Sequence, residues 1–402
     1  MKSVYWRPQK VSRRTLVVIS LAALGAWALV HGSQQLGSAE NDSIKLQAAS
    51  RTYELFTAIR QIRLRRGDTI SPVLDPTGSG VMGEAMTQVT SRPAELVDKQ
   101  TTINPNFAAA VVDMLLDAGV GPGDTIAVGW TGSMPALNMA LCGAVESLHL
   151  HPIVVASVTS SQYGANRPNL LWLDMERELH ERHLISFRSQ AASIGGIADR
   201  GLGMSPEALE LVAAGIRRNG LPTIGTRSRA ESIDRRMRIY QAAATDSSEG
   251  AIKAYVNVGG GVASTGGSAA KRQYRPGLNR TLPQDVLQTD SVMARFAARG
   301  IPVLHLGHVR ALARRYGFPL APVEMPAVGC GRPFHRQAPS RPLATAGLLL
   351  ILGLLQAFVL TDWGHRLEQR SHLLWQRIRG QQDRSCQPQL AGNGPEAPRL
   401  MV

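Results

Sequence analysis

Two long, nearly uncharged apolar runs bracket this chain and constrain its fold more than any other feature. The first, residues 16–30, reads LVVISLAALGAWALV and follows Lys2, Arg7, Lys10, Arg13 and Arg14. The second, residues 343–360, reads LATAGLLLILGLLQAFVL, interrupted by Gln356 and followed by Asp362-Trp363. Runs of this length are expected to form helices crossing a bilayer core of about 30 Å, and Trp363 stands where an interfacial aromatic belongs. The positive-inside rule then predicts both termini in the cytoplasm and the middle of the chain outside it. Arg332, Arg336 and Arg341 oppose that arrangement, and the basic start outweighs them. The first run also fits a cleaved signal, with Gly37-Ser38-Ala39 as the small-residue site, and residues 12–16 (SRRTL) resemble a twin-arginine export signal. The expected organisation is a basic N-terminus (1–14), a membrane helix acting as signal anchor (15–33), a juxtamembrane helix and loop (34–100), an α/β domain (101–328), a basic linker (329–342), a second membrane helix (343–361) and a basic tail (362–402). The lipid bilayer is accordingly an expected partner.

The formal charge of +14 on 402 residues invites a nucleic-acid reading, which its distribution opposes. Five of the Lys/Arg lie within residues 1–30, where no acid accompanies them. The excess sits beside the apolar runs, no Lys/Arg-rich arm is present, and no nucleic-acid module is recognisable. The remaining mild basicity suits an anionic partner and equally a merely soluble surface. Cys142, Cys330 and Cys386 form no CxxC pair and no metal spacing. Cys142 reads as a small buried helix residue, and a Cys142–Cys330 disulfide is the other arrangement open to it.

Between the runs, short β-branched segments alternate with helical ones. Apolar residues from Ile44 to Ile62 recur at helical spacing and lead to Arg63, Arg65, Arg66 and Gly67. A helix is expected after Asn104-Pro105-Asn106, ending near Gly119. Strands are expected at 125–129, 152–158, 221–225, 252–258 and 302–306. The alternation predicts a mostly parallel, doubly wound (Rossmann-like) sheet in an extracytoplasmic domain flanked by the two transmembrane helices.

In such sheets ligands bind at the carboxyl ends of strands. One loop with that placement is GWTGSMP, where Thr131, Gly132 and Ser133 offer backbone N–H groups and two hydroxyls to an anion ahead of a helix. Helix capping by the same hydroxyls is the bland alternative. The loop lacks the G-x-S-x-G elbow. A second is Asn257 to Gly267, where Gly259 and Gly260 would let a ligand approach the backbone and Ser264 adds a hydroxyl; it is neither a Walker loop nor a GxGxxG turn, and a flexible connector fits as well. Ser160, Ser161, Asn166 and Arg167 lie just past a strand end. Arg236, with Arg235 and Arg238, could grip carboxylates or simply form a solvated helix face. Asp174 and Glu176 fall on different helix faces, and His305 with His308 lacks a third ligand, so neither a paired-carboxylate nor a metal site is expected, and no cofactor.

Four stretches resemble the poly-γ-glutamate system protein family: NPNFAAAVVDMLLDAGVGPGDTIAVGWTGSMPALNMA, YGANRPNLLWLDMERELHERHLISFRSQAASIGG, AYVNVGGGVASTG and GIPVLHLGHVRALARRYGFPLAP. Together they span about residues 101–327. The resemblance implies a bacterial inner-membrane accessory of poly-γ-glutamate (capsule polymer) synthesis, export or tethering. Its implied partners are the poly-γ-glutamate synthase membrane complex and the anionic polymer itself. It carries no catalytic residues across. The rival expectation is a hydrolase or transpeptidase acting on γ-glutamyl chains through Ser133, Thr131 or Ser264, for which the sequence shows no nucleophile–base–orienter set.

Overall fold

The computed structural model describes residues 13–246, 250–334 and 341–360. The basic start, the tail with Cys386 and Trp363, and part of the linker lie outside the described residues.

Residues 39–336 form one compact unit built on a six-stranded sheet. Its strands are β1 (Thr125–Thr131), β2 (His151–Ser157), β3 (Ala191–Ser193), β4 (Ala254–Val258), β5 (Gly277–Asn279) and β6 (Val303–Leu306). Their spatial order is β3-β2-β1-β4-β6-β5. Five run parallel, and the edge strand β5 pairs antiparallel with β6. The fold is therefore α/β with a mixed sheet. The chain steps outward from β1 to β2 and β3, then returns to β4 on the other side of β1. That reversal leaves a crevice between β1 and β4.

Strand alternation supplies two cores, because successive side chains point to opposite faces. Ile126, Val128, Trp130, Val154, Ala156, Val256, Val258, Leu304 and Leu306 face one cluster. It is closed by α1 (Arg13–Arg65), α3 (Phe107–Asp117), α4 (Pro135–Ser147), α5 (Trp172–Glu181), α6 (Pro206–Arg218) and α12 (Val309–Tyr316). The intervening residues Ala127, Ile153, Val155, Tyr255 and Val303 face a second cluster. There α7 (Arg229–Asp246), α10 (Gln284–Gln288) and α11 (Val292–Ala298) contribute Ile233, Met237, Tyr240, Val286 and Phe296. Each fully buried large apolar side chain contributes roughly 1.5–3 kcal/mol, so burial on both faces accounts for the nearly unbroken apolar strands. Local signals set the helix ends: the Ser205 hydroxyl accepts from the Ala208 N–H ahead of Pro206, and Gly317 closes α12 at φ 70°.

Three short helices complete the unit: α2 (Leu96–Thr101), α8 (Val262–Thr265) and α9 (Ser268–Lys271). The expected strand at 221–225 is reduced to a single bridge between Thr223 and Ala192. The edge strands β3 and β5 carry only three residues each, too few to show a period.

Two expectations are overturned. Among the described residues, no helix is long and apolar enough to cross a membrane. The second apolar run lies within α13 (Arg341–Leu360). The two transmembrane helices and the inner-membrane location with its extracytoplasmic domain are corrected on this ground. Separately, Cys142 and Cys330 are both free, the first buried within α4 and the second exposed, so the alternative disulfide does not form.

Candidate functional site

The carboxyl ends of β1, β2 and β4 open into a cavity of about 570 Å³. Its floor is the sheet edge with Thr131, Ser133 and Ser157, and one wall is the glycine loop Gly260–Gly261. The other wall comes from before the sheet in sequence, from Ser91, Arg92, Glu95, Asp98 and Lys99. That wall is attached by a short parallel ladder in which Thr90 pairs with Ser160 and Arg92 with Ser161.

Asn166 clamps the wall in place. Its amide oxygen accepts from the Glu84 N–H at 2.9 Å, and its Nδ2 donates to the Glu84 carbonyl at 2.8 Å and to Thr90 Oγ1 at 2.9 Å. Fully buried, Asn166 is a structural fastening with no face to the cavity. Arg167 is likewise engaged, pairing with Asp68 at 3.0 Å and with Glu84.

The strand period separates the two adjacent serines. Ser160 turns inward, donating to the Gly132 carbonyl at 3.0 Å, whereas Ser161 lines the cavity. Ser161 N–H donates to Ser133 Oγ at 3.1 Å, which joins the ladder to the β1 loop. Thr131 Oγ1 accepts from the Ser133 N–H at 3.3 Å, and neither hydroxyl caps α4.

Two lysines define the electrostatics. Lys99 is 2% exposed, and its ammonium donates to Ser161 Oγ at 2.8 Å and to the Ser133 carbonyl. Burial first, and the neighbouring Lys271 second, push its pKa down to about 7. Lys271 ends α9 and reaches back over the glycine loop, where a Cβ added to Gly260 would stand 2.9 Å from its Nζ. Burial and Arg92 lower its pKa as well. Among the described residues neither lysine has a carboxylate within salt-bridge distance. Of the two acids on the wall, Asp98 is held by Arg310 at 2.7 Å. The cavity thus carries Arg92, Lys99 and Lys271 against Glu95 and an Asp98 already paired with Arg310.

The glycine loop is shaped by close approach. Gly259 sits at φ +92°, and a Cβ there would meet Thr131 Oγ1 at 2.5 Å. Asn257 lies below the loop, donating to the Gly259 carbonyl at 3.1 Å and meeting His305 Nδ1 at 2.9 Å. Burial depresses that histidine to about 3, so it is neutral. Ser264 accepts from the Tyr255 hydroxyl at 2.8 Å beneath the cavity and does not line it.

Arg236 lies one layer deeper. It is 1% exposed and donates to Ser157 Oγ at 3.0 Å, Ser193 Oγ at 2.6 Å and Asp199 Oδ2 at 3.0 Å. Against the desolvation that would lower its pKa, Asp199, Tyr240 and Tyr255 hold it above its ordinary value. It therefore supports the cavity floor through Ser157 and cannot itself grip a ligand. Arg235 and Arg238 face solvent.

Of the residues singled out in the sequence, Thr131, Ser133 and Gly260 line the cavity, with Gly132 and Gly259 in the loops that build it. Ser160, Asn166, Asn257, Ser264 and Arg236 lie behind it, and Arg167 lies apart. Sequence reasoning missed Lys99, Lys271 and Arg92, and could not separate Ser161 from its neighbour Ser160. The signal for Lys271 is its place a few residues after the glycine run. Lys99 leaves none, because its wall precedes the sheet. No protein-family model, no curated protein and no solved structure matches this chain, so the comparisons lend no support to a place in poly-γ-glutamate or capsule biosynthesis.

Proposed function

We propose that the protein is a binding module for a small carboxylate-bearing ligand, seated in the crevice between β1 and β4. The observation that supports this reading best is the convergence of Lys99 and Lys271 there with no carboxylate at salt-bridge distance among the described residues. Burying two cations side by side costs folding free energy, and a ligand anion is the counter-charge that offsets it. Arg92, the hydroxyls of Ser133 and Ser161, and the open backbone at Gly260 supply directional contacts. The crevice also has the position ligands take in open α/β sheets.

The resemblance to the poly-γ-glutamate system proteins makes γ-linked glutamyl groups the first class to test. In that setting the protein would hold growing or exported chains for the synthase complex, a role that rests on the resemblance alone.

The test is calorimetric titration of the full chain with glutarate and with γ-glutamylglutamate. Saturable binding that weakens about tenfold in Lys271→Ala, on the order of 1.4 kcal/mol, is the expected result. Absence of binding by either compound, or binding indifferent to Lys271, sinks the reading.

A further inference from the structure

From the geometry of the cavity wall we infer that Ser161 and Lys99 form a nucleophile–base dyad that acylates Ser161 with the acyl group of a carboxylate-bearing amide or ester. Its substrate class rests on the anion-binding reading above.

Three observations carry the inference. Ser161 Oγ and Lys99 Nζ are 2.8 Å apart, within the reach a base needs to take a hydroxyl proton. Both line the 570 Å³ cavity, so a substrate carbonyl can reach the hydroxyl. Each is also oriented by a third group, the pattern of an activated nucleophile. The Ser133 carbonyl accepts one hydrogen of the Lys99 amine and anchors its nitrogen beside Ser161 Oγ, where the neutral form has a lone pair to offer. Ser161 itself is fixed by its N–H bond to Ser133 Oγ and by the bond from the Gly164 N–H to its carbonyl at 3.2 Å.

The charges facing Lys99 favour that neutral form. Asp98 on its own helix raises its pKa, but burial and Lys271 from α9 outweigh it, and Arg92 and Glu95 complete the charged lining.

The step balances as follows. Neutral Lys99 takes the Ser161 proton as Oγ bonds to the substrate carbonyl carbon, giving a tetrahedral oxyanion in the field of the Lys271 ammonium. The carbonyl re-forms, the bond to the leaving amine or alkoxide breaks, and the Lys99 ammonium returns its proton to the departing atom. Water then attacks the Ser161 ester with Lys99 again accepting a proton. The ester bond breaks, and the proton returns to Ser161 Oγ.

The full chain is treated with a fluorophosphonate, an uncharged serine-directed phosphonylating reagent, and the product is read by intact mass and peptide mapping. One adduct on Ser161 is expected, absent in Ser161→Ala, forming faster as pH rises with a midpoint near 7. Lys99→Arg keeps the positive charge yet cannot act as base, and should slow labelling on the order of 10²-fold. Because that variant could fold poorly, the pH profile of the unmodified protein stands as an independent readout. No adduct, an adduct mapping elsewhere, or a rate flat across pH 6–8 overturns the dyad. Glutarate titration of the same preparation separates the two readings. Binding without labelling leaves the anion crevice standing and removes the dyad, whereas labelling without binding keeps the dyad and removes the carboxylate substrate class.

Discussion

Two buried cationic centres lie on either side of Ser157, and they are built on opposite terms. Arg236 beneath the sheet edge is fully engaged, bonded to an aspartate and three serines and held charged by its surroundings. Lys99 in the cavity wall is as deeply buried, yet its partners are a hydroxyl and a carbonyl, and its charge is depressed to the neighbourhood of neutrality. The first arrangement fixes a structure. The second leaves an electrostatic need that only a ligand or a reaction can satisfy.

The largest test of this contrast removes Arg236. Arg236→Ala leaves Asp199 buried without its counter-charge and should lower unfolding free energy by about 3–5 kcal/mol in urea titration. A loss below about 1 kcal/mol would make the deep centre dispensable and erase the distinction.

Lys99 should behave oppositely. Its folded pKa, about 7, lies below the unfolded value near 10.4. The unfolded chain therefore holds the extra proton between those values, and stability rises with pH across that window. The destabilising contribution is complete below pH 7 and vanishes as pH approaches the unfolded pKa. Lys99→Met should accordingly raise stability at pH 6 by on the order of 1–2 kcal/mol after allowing for the lost hydrogen bonds. Its advantage should shrink toward pH 9, as followed by melting temperature. A Met variant less stable than the parent at pH 6 would count Lys99 among the structural cations.

Ligand affinity sharpens the same point. A bound carboxylate favours charged Lys99 and raises its pKa, so glutarate should bind best below pH 7 and lose up to about tenfold for each pH unit between the free and bound values. Calorimetry at pH 6 and 8 measures this, and equal affinities would assign the anion to Lys271 and Arg92 alone. The smallest effect is expected at Gly260, whose φ lies outside the left-handed region. A Cβ there meets only the mobile end of Lys271, so Gly260→Ala should change stability by no more than about 0.5 kcal/mol. It should weaken glutarate binding a few-fold by displacing that ammonium.

The sheet and the crevice floor were legible in the sequence, because β-branched strands end in polar and glycine-rich loops at 131–133 and 259–261, and those residues do build the site. What escaped was register and distance. Ser160 and Ser161 are indistinguishable by composition, and only the pairing of Arg92 with Ser161 decides which one faces the cavity. Lys99 sat in a stretch read as a connection before the domain, where nothing local predicts a neighbour 172 positions onward. Arg236 illustrates the converse: a run of arginines looks solvated until helix packing buries one of them against Asp199. The membrane reading came from two apolar runs and their flanking residues, and among the described residues no helix is long and apolar enough to cross a membrane.

The wall that carries Lys99 has a consequence for synthesis. Translation proceeds at roughly 5–20 residues per second, so Lys271 emerges from the ribosome some 10–30 s after Lys99. The ladder partner Ser161 follows only 62 residues after Lys99, but until Lys271 emerges the wall lacks its second ammonium and waits as an unfinished half-site. A ligand can therefore recognise only a chain made through residue 271, and its capture by a nascent one would report that this point had been passed.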